Sequence, residues 1–320
     1  KIPNRPPDAV VAAPASLSNL GPGFDTLGLA LDGLDDTAEV WSIDTPSVTA
    51  VAAQDGAAWT LPPDARNTAV IAARAVLHHA GREDAGLVLR LRKAVTPGSG
   101  LGSSAASAVA GALGAAAALG LGADKADLIE AVLEGEAAAS GAWHGDNAVP
   151  SLLGGLVLVS ATDPTRYRRL TLGAPLHLAV LLPQVQVLTK AARAMLPASV
   201  PLRDAVSNTT HLAFLIHALQ AGDVDEAGRC IMQDRLVEPV RATLVPCYTP
   251  VRRAALDAGA YGAALSGSGP AIFALCRSRL HAQRTAEAMR EASEAHGIEA
   301  NAYACATCEE GARVVERGAA

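Results

Sequence analysis

The sequence predicts an α+β fold in two domains, and three observations carry that expectation. Short β-branched runs and long Ala-rich helical stretches mix along the chain. They do so without the steady strand–helix alternation of a parallel α/β sheet. The length of 320 residues suits about two domains. Half of the residues are hydrophobic, enough for sizeable cores, yet only 3% are aromatic, so those cores must be built from Ala, Val, Leu and Ile.

Taken in order, Val10 to Ala13 is a short apolar run closed by Pro14 and predicts a strand. Thr37 to Ile43 and Val48 to Ala53 are rich in β-branched residues and predict two more. Asn67 to His79 places Val70, Ile71, Ala75 and Leu77 at helical spacing, with Gly81 as a stop. Leu87 to Leu91 alternates with Arg90 and Arg92, which fits a strand with one wet face. A Gly/Ser loop, Thr96 to Ser104, leads into an Ala-rich helix. Asp124 stands where it would cap another helix running to about Ala139. Ser140 to Asn147 reads as a loop, and Gly155 to Val159 as an apolar run. The polar segment Asp163 to Arg169, with Pro164, is the expected boundary between domains 1–165 and 166–320. Beyond it, His177 to Leu182 predicts a strand. Lys190 to Leu196, Asp204 to Gln220 and Val251 to Asp257 predict helices. Tyr261 to Leu265 and Ala271 to Cys276 predict strands around a Gly/Ser turn. Ala282 to Ala295 is the final expected helix and Ala300 to Ala306 the final strand. No internal repeat or heptad pattern is present.

A formal net charge of −6 argues against a nucleic-acid binder, which usually shows a basic face. It does not argue against phosphate binding, which backbone N–H groups at a helix N-terminus can support alone. Cys230, Cys247, Cys276, Cys305 and Cys308 are odd in number and thinly spread, as expected of reduced thiols in a cytoplasm. Cys305 and Cys308 form a lone C-x-x-C and read as ordinary thiols. The start, Lys1 to Asp8, is polar and Pro-rich, with no signal-peptide core. Because the first residue is Lys1, a longer native N-terminus is expected. The most apolar stretch, Ala105 to Ala123, is a weakly hydrophobic Ala/Gly mixture that predicts a buried helix and no membrane span.

The strongest local signal is Pro97-Gly98-Ser99-Gly100-Leu101-Gly102-Ser103-Ser104-Ala105-Ala106. Its glycines permit tight backbone conformations and clear side chains from an approaching ligand. Ser103 and Ser104 fall where the helix begins, and that helix end offers unpaired N–H groups and a positive dipole end. The combination predicts a phosphate cradle. It is neither a Walker A loop, which needs a Lys, nor G-x-G-x-x-G, because the spacing is G-x-G-x-G. Alone, it reads equally as a flexible turn with a Ser cap.

Two further motifs accompany it. Pro14-Ala15-Ser16-Leu17-Ser18-Asn19-Leu20-Gly21-Pro22-Gly23-Phe24-Asp25 stands near the start. Gly262-Ala263-Ala264-Leu265-Ser266-Gly267-Ser268-Gly269-Pro270 stands near the end. In order and spacing the three resemble motifs 1, 2 and 3 of the GHMP kinases, from Val10 to about Leu275. The form of the first motif resembles the homoserine kinase branch, as do Trp143-His144-Gly145-Asp146-Asn147-Ala148-Val149-Pro150, Thr189-Lys190-Ala191-Ala192-Arg193 and Glu238-Pro239-Val240-Arg241. Val187-Leu188 before Thr189, and Val240 before Arg241, depart from that branch's pattern.

The resemblance implies an N-terminal ribosomal-protein-S5-like α/β domain that binds ATP and a C-terminal ferredoxin-like domain that closes the cleft. It implies nucleotide contacts from Pro97, Gly98, Ser99, Gly100, Leu101, Gly102, Ser103, Ser104 and Ala105, with Gly267, Ser268 and Gly269 in support. It implies Mg²⁺ ligands at Ser104 and Glu136, a homodimer and a cytoplasmic enzyme. It places Asn19, Asp25, His144, Asp146, Asn147, Thr189, Arg193 and Arg241 in the pocket for homoserine. The chemistry agrees, since such a zwitterion needs cations for its carboxylate and an anion for its ammonium. Arg193 and Arg241 can clamp the first, and Asp25 and Asp146 can serve the second. Asp146, with Asn19 and Asp25 around it, is the candidate to orient the hydroxyl or accept its proton. Lys93 and Lys190 are candidate electrostatic helpers. Plainer readings stand beside these. Arg193 reads also as a solvated helix residue, Arg241 as a surface partner of Glu238, and Glu136 as an exposed helix carboxylate. His144 reads also as a loop-ordering residue, Asn19 as a turn residue, and Asp25 as the cap of a helix starting near Thr26.

Overall fold

The structure is a computed structural model that describes residues 2–52, 62–141 and 143–317. Ala53, the expected end of one strand, lies outside them. The strands are β1 (Ala9–Asn19), β2 (Gly23–Ile43), β3 (Val48–Ala52), β4 (Gly86–Arg92), β5 (Leu156–Val159), β6 (Tyr167–Leu170), β7 (His177–Pro183), β8 (Gly262–Leu265), β9 (Ile272–Cys276), β10 (Ala300–Ala306) and β11 (Arg313–Arg317). The α-helices are α1 (Thr68–His79), α2 (Ser103–Ala118), α3 (Ile129–Ser140), α4 (Gly145–Leu153), α5 (Thr189–Ala194), α6 (Leu202–Ala221), α7 (Val224–Ile231), α8 (Glu238–Arg241), α9 (Tyr248–Asp257) and α10 (Arg279–Glu294). The first sheet runs β11-β1-β2-β4-β3, with β5 paired to β2 and β6 to β5. The second runs β10-β7-β9-β8 and is antiparallel throughout.

The Ala-rich α2 is buried on nearly every side, against α1, α3, α4, β1 and β2. Small side chains let these elements approach closely. The second sheet shows the two-residue period of a strand layer buried on both faces. Leu178 and Val180 of β7, with Phe273 and Leu275 of β9, join a core shared with Leu17, Leu27 and Leu29 of the first sheet and with α6 and α7. Ala179, Leu181, Ile272 and Ala274 turn the other way, onto Val251 and Ala255 of α9 and Ala282 and Met289 of α10. The cleft lies where the shared core brings the two sheets together.

Several expectations are corrected. Pro14 does not end β1. The register shifts between Pro14 and Ser16, and the Ser151 hydroxyl donates to the Pro14 carbonyl at 2.7 Å. No helix begins at Thr26, because Gly23–Ile43 is one long strand, so Asp25 caps nothing. Asp124 does cap, but through a reciprocal box with Asp127 around a 3₁₀ turn, Lys125–Leu128, that precedes α3. The supposed loop up to Asn147 already contains the first turn of α4, masked in the sequence by Pro150 inside that helix. Helix α7 was missed although Asp223 caps it, accepting the Glu226 N–H at 3.0 Å. Strands β6 and β11 follow the expected boundary at 165 yet belong to the first sheet.

Strand β11 covers the outer edge of β1, with Val11 opposite Val314 and Ala12 opposite Arg313, and Ala312 is fully buried. Arg313 also donates to Asp35 at 2.7 Å. We predict that a chain cut after Glu310 melts at least about 5 °C lower and forms soluble aggregates through the bared β1 edge. Thermal unfolding with light scattering checks this, and an unchanged melting temperature would show β11 to be dispensable.

Candidate active site

Three loops from distant parts of the chain meet at one point. The Gly267 N–H donates to the Ser18 carbonyl at 3.2 Å, and the Ser266 hydroxyl donates to the Gly100 carbonyl at 2.6 Å. The Ser16 N–H donates to the Leu101 carbonyl at 3.1 Å, and the Ala271 N–H to the Ser99 carbonyl at 3.0 Å. The 16–19, 99–101 and 266–271 segments thus hold one another. In the first of them Asn19 and Leu20 have φ of 70° and 47°, and Asp25 just beyond has 54°. Non-glycine residues adopt this region at a cost, so the surroundings must impose it. The Asn19 side chain is part of that imposition. Its Nδ2 donates to the Gly267 carbonyl at 3.2 Å, and its Oδ1 accepts the Asp25 N–H at 3.3 Å.

The phosphate loop ends at Gly102, which takes φ 65° at the N-cap of α2. A Cβ there would lie 2.3 Å from Ser16 Oγ and 2.9 Å from Asn147 Oδ1, so only glycine fits. No side chain caps α2 and its own first turn holds no acid; the acid at this helix end is Glu136 of α3, hydrogen-bonded to Ser104. Beneath this turn the buried Lys93 ammonium donates to the Asp36 carboxylate, the Ser103 carbonyl and, at 2.7 Å, the Ser107 hydroxyl. Burial pushes the Asp36 carboxyl upward, and the Lys93 charge opposes that push. Lys93 therefore braces the helix end. Lys190 is exposed on α5, on the cleft wall.

Two buried carboxyls face the cleft. Glu136 of α3 is pushed up to about 7 by burial, with Asp146 adding to the shift and a hydrogen bond from Ser104 opposing it. Asp146 of α4 is likewise pushed up to about 7 by burial and by the nearby Asp25 charge. Glu136 is thus not an exposed helix carboxylate. Among the described residues no cluster of three or more His, Cys, Asp or Glu gathers to hold a metal. One carboxylate and one hydroxyl fit a hard cation that draws its other oxygens from phosphate and water. Asp146 is held in place by a close approach. Pro150 offers no N–H to the Asp146 carbonyl four residues back, and that carbonyl lies against Gly28, where a Cβ would come within 1.7 Å of it.

Opposite the carboxyls stand two guanidiniums. Arg193 of α5 makes a two-pronged bond to Asp25 at 2.8 and 3.0 Å. Arg241 of α8 is 3% exposed and donates to the Gly267 carbonyl at 2.9 Å. Neither is a solvated surface residue. Glu238 does not pair with Arg241. Its carboxyl instead takes the Tyr248 hydroxyl and, at 3.2 Å, the Leu265 N–H, which ties α8 to β8. His144 occupies the N-cap position of α4, its charged form disfavoured first by burial and then by Arg193. Thr189 Oγ1 lies 3.4 Å from Ser268 Oγ. The Asn147 amide is committed to Ser16 and Ser18, at 2.9 and 3.0 Å.

These residues line one cavity of about 440 Å³. Its wall includes Asn19, Asp25, His144, Asp146, Asn147, Thr189, Arg193 and Arg241, together with Pro97, Gly98, Ser99, Gly100, Gly102, Ser103, Ser104, Glu136, Gly267 and Ser268. Leu101 and Ala105 instead point into the cores, and Gly269 lies behind the loop. Sequence reasoning missed Ser18, Arg66, Asn67 and Thr68 on the wall, and Gly28 and Phe24 behind it. For Asn67 a signal existed, since it caps α1 by accepting the Ala69 N–H at 2.9 Å.

Residues 67–155 match the GHMP kinases N terminal domain, and residues 215–295 match the GHMP kinases C terminal domain. Homoserine kinase of Pyrococcus abyssi is 42% identical over 290 residues, 91% of this chain and 94% of that one. The chain belongs to the homoserine kinase branch of the GHMP kinases. Homoserine kinase of Thermococcus kodakarensis is 43% identical over 298 residues, 92% of this chain and 96% of that one. The crystal structure of homoserine kinase from Cytophaga hutchinsonii superposes with a TM-score of 0.90 at 38% identity, covering 98% of this chain and 99% of that one. The fold expected from the three motifs, two domains of the GHMP type, is the fold observed. ATP is the phosphoryl donor that membership of this kinase family implies.

Two predictions follow from how this GHMP kinase holds its site. Gly28→Ala should drive α4 outward and cut kcat at least about tenfold while nucleotide affinity holds, because small displacements of reacting groups are costly. Steady-state kinetics beside nucleotide titration checks this. The second concerns Glu238, which burial pushes from 4.5 up to about 7. Between those values the folded chain holds a proton that the unfolded chain releases. The stability from this carboxyl is therefore full below pH 4.5 and lost as pH rises through about 7. The melting temperature should fall from about pH 5 to about pH 8, and Glu238→Gln should flatten that fall.

Proposed function

We propose that this chain transfers the γ-phosphoryl group of ATP to the side-chain hydroxyl of L-homoserine, giving O-phospho-L-homoserine on the route to threonine. One observation carries the reading. A single cavity gathers an uncapped helix end, a Gly-rich loop and two buried carboxyls, with two guanidiniums opposite the carboxyls. That is the complement of a polyphosphate beside an amino acid. The names of the similar proteins point the same way.

In this reading Arg193 and Arg241 take the substrate carboxylate, and Asp25 takes its ammonium. Asn19 keeps Asp25 in its strained conformation. His144 and Thr189 supply further hydrogen bonds, and Asn147 holds the loop bearing Ser16 and Ser18. Asp146, held near neutrality in its own titration, orients the hydroxyl and accepts its proton. The first turn of α2, with Ser104, receives the phosphates. Mg²⁺, held by Glu136 and Ser104, would neutralise phosphate charge when bound. The rest of the catalysis is positioning. Residues 1–165 serve as the nucleotide-binding half and residues 166–320 as the closing half, with β6 and β11 lent to the first sheet. We further propose a cytoplasmic homodimer. No helix among the described residues is long and apolar enough to cross a membrane.

ADP release measured with ATP, Mg²⁺ and a panel of homoserine, serine, threonine, mevalonate, galactose and shikimate tests this. Homoserine should be preferred. Arg241→Ala should raise its KM at least about tenfold, and Asp146→Asn should lower kcat by about a hundredfold or more. Preference for another alcohol would remove the substrate, and ATP binding without any turnover would point to a silent regulator.

A further inference from the structure

Phe24 is the one apolar side chain in contact with both guanidiniums among the described cation–ring contacts. The Arg193 guanidinium carbon lies 5.2 Å from its ring centroid, and that of Arg241 lies 5.0 Å from the same centroid. The two arginines come from different helices, α5 and α8, and like charges brought to one ring repel. Their other partners do not set their spacing. Asp25 holds Arg193 alone, and the Gly267 carbonyl holds Arg241 alone. Nε of each arginine is buried without a hydrogen-bond partner. Phe24 itself is firmly placed, because the next residue, Asp25, sits at φ 54° with its N–H bonded to Asn19.

We propose that Phe24 is a positioning residue that sets the spacing of Arg193 and Arg241 and so makes them a clamp for one carboxylate. An aromatic face carries negative potential and attracts a guanidinium. A single ring shared by two guanidiniums offsets part of their repulsion and fixes both relative to one rigid turn. The clamp then meets the carboxylate preorganised, and less order has to be imposed at binding. The inference rests on the proposed function, because it supposes a substrate with a carboxylate beside its alcohol.

The test compares L-homoserine with 3-aminopropan-1-ol, which keeps the hydroxyl and amine but lacks the carboxylate. Phe24→Leu keeps apolar bulk and removes the ring. It should raise the homoserine KM about tenfold with kcat within about twofold, leaving the ATP KM and the kcat/KM for 3-aminopropan-1-ol unchanged. Phe24→Tyr and Phe24→Trp should keep the homoserine KM near that of the wild type. An equal loss with both alcohols would make Phe24 a packing residue and overturn the proposal, as would no change with either. If Phe24→Leu does not fold, a homoserine KM raised more than about fivefold in Phe24→Trp overturns it equally. Failure of the wild type to use homoserine would remove the proposed function and this inference together. Wild-type turnover with an unselective Phe24→Leu would remove this inference alone.

Discussion

The site depends on hydrogen bonds exchanged among three loops that the chain keeps far apart. Gly267 bonds to Ser18, Ser266 to Gly100, Ser16 to Leu101 and Ala271 to Ser99. Each such bond contributes about 1 kcal/mol net, but a buried partner left unmet costs more than that. The arrangement is therefore close to all-or-none, because loosening one loop strands polar groups of the other two. It also explains the crowding of small residues. Ser, Gly and Ala let three backbones come close enough to bond directly, with the short Ser266 and Asn19 side chains adding to the bridging. Strain at Asn19, Leu20 and Asp25 persists because the neighbouring loops over-determine those residues.

Around this junction the charges are arranged in opposed halves. Burial raises both Glu136 and Asp146 to about 7, and each feels a neighbouring carboxylate. On the other side Arg193 and Arg241 share Phe24, and Arg193 also pairs with Asp25. The α2 N-terminus adds partial positive charge, with Glu136 hydrogen-bonded to Ser104 in its first turn. Such a cavity is electrostatically unfinished by itself. Anions suit the loop end, a cation suits the carboxyl pair, and a zwitterion suits the far wall.

Much of this was legible in the sequence, for reasons that differ by element. Helix α1 showed its apolar spacing and its Gly81 stop, and α2 its serine-rich start after a glycine loop. Strands β7 and β9 showed as apolar runs bounded by turn residues. Pocket residues from Asn19 to Arg241 came from the resemblance of their motifs to the homoserine kinase branch, and they line one cavity. What failed was contact between distant segments. Pro14 read as the end of a strand, yet Ser151 serves its carbonyl, and Gly28 leaves room for the Asp146 carbonyl that Pro150 cannot serve. Asp25 looked like a cap because nothing local shows that β2 has already begun. Lys93 read as a candidate electrostatic helper and does line the cavity, but only its partner Asp36, 57 positions earlier, shows what it braces. Strands β6 and β11 are short, and while β6 pairs with the adjacent β5, the partner of β11 lies at the other end of the sequence.

The pairing of β11 with β1 bears on how the protein is made. Strand β1 leaves the ribosome about 300 residues before β11, so the first sheet cannot close until β11 follows. At about 5–20 residues per second, an emerging chain carries an open β1 edge for tens of seconds. During that interval another nascent copy, or any extended segment, can pair there. The residue pair Val11 and Val314 spans almost the entire chain. Its late formation makes the arrival of β11, and the chaperones that shield the chain until then, a practical condition for an orderly yield.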